Sequence, residues 1–219
     1  MKLWPQRRED ARIIQEQIAG RITLVPLRHE IRTVAGIDAA FAEDKIIAAI
    51  SVFDYRSIKC IGEYHHIQRT SFPYIPGYLS FREGPAILAA FRKMPAPPDL
   101  LLFDGQGIAH PRRAGIASHL GVLLNMPAIG CAKSRLVGES EKPVPEKGAW
   151  APLYYRDEVV GAVLVTRSGC KPLFISPGHL ITLQEAIEVV LHLAPRFRLP
   201  EPIRAADSLA KRLKLPVKD

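Results

Sequence analysis

The chain has 219 residues, 47% of them hydrophobic, so it can bury a sizeable core and is not intrinsically disordered. Thirty lysines and arginines against 22 acids leave a net charge of +8 and a pI near 9.6, a balance that admits nucleic acid as a partner. No apolar run approaches the ~18 residues of a membrane span, the N-terminus lacks the apolar core of a secretory signal, and three scattered cysteines make no complete disulfide framework, so the chain reads as reduced and cytoplasmic.

The first predicted element is a surface helix over residues 5–18, with Ile13, Ile14 and Ile18 at helical spacing and Gly20 as its stop. Three strand-like segments follow at 33–37, 46–53 and 58–67. Their short polar connections imply an antiparallel meander. Residues 71–78 hold two prolines and a glycine among aromatics and predict an ordered loop. Ser80-Phe81-Arg82-Glu83 matches a capping box and opens a helix to about residue 93, which the prolines of 95–98 end. An apolar strand over 99–103 runs into Asp104-Gly105-Gln106-Gly107. A helix is predicted from Pro111, where a missing N–H costs nothing, with Ile116, Leu120, Leu123 and Leu124 on its apolar face. Residues 127–130 read as a buried strand, 139–148 as an exposed loop, and 158–166 and 173–175 as strands, the last preceding Pro177-Gly178-His179. Thr182-Leu183-Gln184-Glu185 is a second capping box, and Leu183, Ala186, Ile187, Val190 and Leu191 form the stripe of its helix. The tail over 196–219 carries seven basic residues against three acids, half of the net charge.

A meander followed by alternating helices and strands predicts an α/β chain of the ribonuclease H-like class, with a mixed central sheet and one domain across residues 1–219. Carboxylates in such a fold meet at one end of the sheet. Asp38 follows the apolar run Val34 to Ile37, Glu83 lies in the first turn of the next helix, and Asp104 ends its strand. Three carboxylates in one cleft repel each other unless a hard cation sits among them, and Mg²⁺ suits such oxygen donors and phosphodiester hydrolysis. Each acid also has an ordinary reading: Glu83 as the closing N3 residue of its capping box, Asp38 and Asp104 as strand-end or turn acids. Lys133, just past a buried strand, is placed to neutralise a phosphate or to sit in solvent. His110 and His179 suit phosphate contact, proton transfer or simple capping. Tyr74, between Pro73 and Ile75-Pro76, suits a base-stack wedge or ordinary loop packing. Gly105 and Gly107 begin a dinucleotide fingerprint, yet His110 stands at its third glycine and no acid occurs between Gly105 and Lys133.

Taken together, Val34-Ala35-Gly36-Ile37-Asp38, the run from Pro73 through Tyr78 to Arg82-Glu83, Asp104-Gly105-Gln106-Gly107 and His110-Pro111-Arg112-Arg113-Ala114-Gly115 resemble the endonuclease V family. The segments around Lys133 and His179, and Arg198-Leu199-Pro200-Glu201-Pro202 with Arg204 and Asp207, extend the resemblance over nearly the whole chain. It implies a ribonuclease H-like fold and a metal-dependent endonuclease that nicks inosine-containing strands at the second phosphodiester bond 3′ to the lesion, without removing the base. It further implies Asp38, Glu83 and Asp104 as ligands of Mg²⁺ or Mn²⁺, His179 near the metal, and Lys133 and His110 at phosphate. Tyr74 would stand by the flipped base, with Pro73, Ile75, Pro76, Gly77 and Gly105 around it. The implied partner is DNA with deaminated bases, met by a monomer. Inosine RNA, or binding without cleavage through the basic tail, are the alternatives. Gln106 stands where some members carry histidine.

Overall fold

A computed structural model describes residues 4–214; the first three residues and the last five of the basic tail lie outside the described residues. In chain order the elements are α1 (Arg8–Ala19), β1 (Thr33–Ala42), β2 (Lys45–Asp54), β3 (Lys59–Arg69), α2 (Leu79–Phe91), β4 (Leu100–Phe103) and α3 (Ile116–Leu124), then β5 (Ala128–Ala132), β6 (Trp150–Tyr155), β7 (Glu158–Leu164), β8 (Leu173–His179), α4 (Leu183–His192) and α5 (Glu201–Lys214). All strands join one eight-stranded sheet, in the order β3-β2-β1-β4-β5-β8-β7-β6. The meander β1-β2-β3 is antiparallel, β1, β4 and β5 run parallel, and β8, β7 and β6 return antiparallel. This is the mixed sheet of the ribonuclease H-like class.

The central strands are apolar on both faces because helices cover both. Leu100 and Leu102 point into a cluster with Ile187, Val190 and Ile203 of α4 and α5, whereas Leu101 and Phe103 point into one with Ala86, Ile87, Ile116 and Leu120 of α2 and α3. The alternation is the two-residue period of a strand. Gly36 sets the depth at which α5 sits on β1: a Cβ there would lie 2.1 Å from the carbonyl carbon of Pro202, so only glycine lets that helix pack down on the strand.

Several sequence expectations need correction. The first strand extends to Ala42, so Asp38 lies inside β1, opposite Ala49 of β2, and does not follow the strand. Ile58 belongs to the hairpin turn at φ 53°, not to β3. Ser80 does not cap α2; Tyr78 occupies that position without a side-chain bond, while Ser80 faces inward, its Oγ 2.9 Å from His119 Nδ1. The helix predicted from Pro111 begins at Ile116, because Arg113 in the left-handed region at φ 58° breaks any earlier turn. Pro177, Gly178 and His179 continue β8 through a bulge, where the register with β5 jumps from Ile129↔Pro177 to Ala128↔His179. The strand β6 lies outside the predicted segments, with Pro152 in its middle masking the pattern of a strand. Much of the basic tail is the ordered helix α5, whose Ile203, Ala206, Leu209 and Ala210 are buried. The box of Thr182 and Glu185 forms as expected.

Candidate active site

Parallel pairing decides which side chains meet. Ile37 is level with Phe103, and the Asp104 N–H donates to the Ile37 carbonyl at 3.0 Å, so Asp38 and Asp104 emerge together at the same end of the sheet. The neighbouring β5 runs the same way, Phe103 level with Gly130, and delivers Lys133 beyond its end. There the Lys133 ammonium forms an ion pair with the Asp104 carboxylate. Glu83, 8% exposed, reaches the same end from α2 on one face. From the other face α5 brings a fourth acid, Asp207, close enough for its charge to be felt at both Asp38 and Lys133.

The electrostatics are those of crowded like charge. Burial, then the charge of Asp104, pushes the Asp38 carboxyl up to about 7, against its hydrogen bond from the Ala39 N–H. Burial, then Asp38 and Asp104, pushes Glu83 up to about 8. Burial works against the Lys133 ammonium, but its bond to Asp104 and the pull of Asp104, Asp38 and Asp207 prevail and raise its pKa. Among the described residues no three His, Cys, Asp or Glu side chains close on one point as a finished ligand set. The acids are instead an open group of oxygen donors whose repulsion a hard cation would relieve.

A pocket of about 370 Å³ adjoins this group. Asp104, Gly105 and Lys133 form one wall; Tyr74, Ile75, Pro76 and Gly77 form another. Pro73, exposed, leads into that second wall. Tyr74 is 69% exposed, an aromatic ring standing free on a proline-stiffened loop. Buried Phe72 and Tyr78 seat the loop in the core, and one atom gathers its polar contacts. The Gly77 carbonyl accepts from Gln15 Nε2 at 2.8 Å, His110 Nε2 at 2.9 Å and Arg112 Nη2 at 3.0 Å. Gly77 itself has φ 78°, a turn conformation that favours glycine. Because His110 Nε2 faces a carbonyl it must carry the hydrogen, and Nδ1 then accepts from the Arg112 N–H at 3.2 Å. Burial, which outweighs that Gly77 bond, lowers His110 to about 4 and keeps the ring neutral. Gln15 Oε1 accepts from Arg112 Nε at 2.6 Å, closing the clamp.

The structure thus brings together Asp38, Glu83, Asp104 and Lys133, and groups Tyr74, Ile75, Pro76, Gly77, Gly105 and His110 around one pocket. His110 differs from expectation in that both ring nitrogens are spent on the backbone. His179 is not brought in. Since β8 runs antiparallel to β5, its last residue pairs with Ala128 at the opposite end of the sheet from Asp104 and Lys133. Its Nδ1 accepts from the Thr23 N–H at 3.2 Å, and burial, then Arg21, lowers its pKa. Sequence reasoning gave no site role to Asp207, which looks like an ordinary helix acid four residues before Lys211, or to Gln15 and Arg112, partners 97 residues apart.

A profile of the family described as Endonuclease V matches residues 16–208. Endonuclease V of Roseiflexus castenholzii is 48% identical over 214 residues, covering 97% of this chain and 96% of that protein. The crystal structure of endonuclease V from Streptomyces avermitilis superposes with a TM-score of 0.91 at 42% identity, over 96% of this chain and 94% of that one. Endonuclease V of Ciona intestinalis, 26% identical with a TM-score of 0.82 over 94% of this chain and 96% of its own, was solved in complex with a 24-mer DNA containing an inosine followed by a ribo-adenosine.

Proposed function

The chain belongs to the endonuclease V family of nucleases, and from that premise we propose that it is a DNA repair endonuclease that hydrolyses the second phosphodiester bond 3′ to deoxyinosine and leaves the base in place. The observation that carries the reading is the adjacency of an acidic sheet end to a pocket walled by an exposed tyrosine on a rigid loop. A deaminated base pairs weakly and is the easier to unstack, so a preformed pocket selects it. Tyr74 fills the gap left in the stack, and the Gly77 and Gly105 backbones border the extruded base. Residues 1–219 act as one domain and as a monomer in the cytoplasm.

The donor set fits a magnesium ion, with manganese as substitute: Asp38, Glu83 and Asp104 offer only carboxylate oxygens, and burial, with neighbouring acids second, holds half-buried Asp38 and buried Glu83 above their usual range. When bound, such an ion polarises the scissile phosphate and eases deprotonation of water. The protein's own contribution is positional. Lys133, fixed on Asp104, presents an ammonium to the departing 3′ oxygen. Asp207, from the opposite face, adds a negative charge that biases the group further toward a cation. His110 acts through the loop it holds, and His179 takes no part.

The test is nicking of a labelled duplex with a single deoxyinosine in Mg²⁺ or EDTA, beside an undamaged duplex and the Asp38→Ala variant. Mg²⁺-dependent cutting 3′ to the lesion, lost in the variant, is expected; full activity of Asp38→Ala would end this reading. A ribonucleotide follows the inosine in the Ciona complex, which favours inosine RNA as a second substrate. Faster cutting of an inosine RNA than of its DNA counterpart would make that the principal activity.

A further inference from the structure

A basic groove, of about 640 Å³, runs beside α5 and shares only Asp207 with the site above. Five cations, Arg167, Arg198, Arg204, Lys211 and Arg212, face a single acid in its lining, Asp207. Four are tied down: Lys211 to Asp207, Arg212 to Glu63, Arg204 to Glu201 at 3.5 Å, and Arg198 to the carbonyls of Lys133, Lys171 and Pro172. The last set fixes the groove wall to the strand end that carries Lys133. Arg167 is exposed, and its guanidinium makes no hydrogen bond or ion pair among the described residues. Phe197 is 41% exposed, with the Arg204 guanidinium 3.5 Å from its ring centroid. An arginine backing a solvent-facing aromatic ring, set among cations, is the combination that stacks an unpaired base and tracks its phosphates.

Position gives the groove a direction. The pocket with Tyr74 and Gly77 lies against Asp104 and Lys133 on the side of α2 and α3, whereas the groove begins at Asp207 on the α5 side. α5 packs along β1, the strand of Asp38, with Pro202 against Gly36, and Arg198 of the groove bonds the Lys133 carbonyl, so pocket and groove meet at the acidic sheet end. We propose that the α5 groove binds the single-stranded backbone on the 3′ side of the cut and stacks a base on Phe197, so that the substrate strand runs from pocket, across the acids, to α5. This rests on the preceding reading, in which the cut falls 3′ to the base held in the pocket.

The experiment measures binding of the full chain to a fluorescent single-stranded oligonucleotide with one deoxyinosine, in EDTA. The 3′ arm is shortened from about ten nucleotides to about two, a range set by the ~4–16 nucleotides that single-strand grooves span, and the 5′ arm is shortened in a parallel series. Loss of the 3′ arm should weaken the unaltered protein about tenfold, the scale of one lost base stack. The Arg167→Ala/Phe197→Ala variant should bind long and short 3′ arms alike, Arg167→Ala/Phe197→Trp should recover most of the difference, and shortening the 5′ arm should affect every protein equally. A double variant that keeps its 3′-arm dependence, an unaltered protein with none, or a dependence that the variant loses on the 5′ side instead would each overturn the proposal. Nicking of the long-arm substrate in Mg²⁺ is scored separately. Failure to cut 3′ to deoxyinosine would sink the preceding reading and with it the assigned polarity, while the arm series would still report whether the groove binds a strand.

Discussion

The acidic end of the sheet and the loop that carries Gly77 border the same pocket, yet they are held by opposite means. At the sheet end carboxylates are withdrawn from water and crowded together, and burial first, like charge second, moves Asp38 and Glu83 to about 7 and about 8. At the loop every partner is matched: one carbonyl takes three donors, the neutral His110 uses both ring nitrogens, and Gln15 completes Arg112. Chemistry on a phosphate needs unspent charge, whereas selection of a base needs a wall that does not move. The first region gives up stability for reactivity, and the second is where the fold recovers rigidity.

The largest test removes a charge from the crowded end. Asp38→Ala should lower the nicking rate by roughly a thousandfold, the scale seen when a transition-state electrostatic group is lost. The same change should leave thermal stability unchanged or raise it at pH 8, since a buried repulsion disappears. A nicking assay and a melting curve on one preparation decide it; normal activity, or a large fall in Tm, would mean the acids are not a functional group under strain. Next comes Gly36→Ala. Its Cβ would meet Pro202 at 2.1 Å, so α5 must lift from β1, and a loss of about 1–3 kcal/mol in denaturant unfolding is expected.

The same contrast explains what a sequence reader can see. The acids were legible because a strand-end aspartate, a helix glutamate and a second strand-end aspartate lie in elements that the meander places side by side. Even so, Asp38 was set one element boundary too late, since Ala39, Ala40 and Ala42 hide the continuing strand. Glu83 and Ser80 mimic a capping box, and only the inward turn of Ser80 toward His119 shows otherwise. His179 followed a Pro-Gly pair that looks like a loop but is a bulge in β8, and strand direction alone sends it to the wrong end. The clamp on Gly77 joins α1, a loop and the turn before α3 through bonds spanning 62 and 35 residues, a pairing that no local pattern announces. Asp207 depended on how deeply α5 packs, which Gly36 decides.

A smaller effect should come from loosening the loop. Arg112→Ala leaves Gln15 Oε1 without its donor and takes one of three from the Gly77 carbonyl, costing about 1 kcal/mol of stability. If the clamp shapes the pocket, nicking efficiency on deoxyinosine should fall about tenfold, mainly through KM, while a background rate on undamaged DNA stays the same. Equal losses on both substrates would reduce Arg112 to a purely structural residue. Arg112→Lys, which keeps charge but not the fork of donors, should not restore discrimination.

The smallest effect separates the two regions by the sign of their pH dependence. For Asp38 and Glu83 the folded pKa lies above the unfolded one, so the metal-free folded state holds protons that the unfolded state has released, and stability falls as pH rises from about 4 toward about 7 and 8. His110 and His119 are lowered to about 4 by burial, so their contribution is present above pH 6.5 and is lost as pH falls through that window. Between about pH 4.5 and 6.5 the two slopes oppose each other, and Tm in EDTA should change little; above 6.5 only the acids titrate, and Tm should decline. Saturating Mg²⁺ should remove that decline, because the acids are then ionised against a cation. The rise contributed by the histidines between pH 4 and 6.5 should then stand alone, and His110→Gln should flatten part of it. A Tm profile that Mg²⁺ leaves unchanged would show that the crowded acids are not where the cation binds.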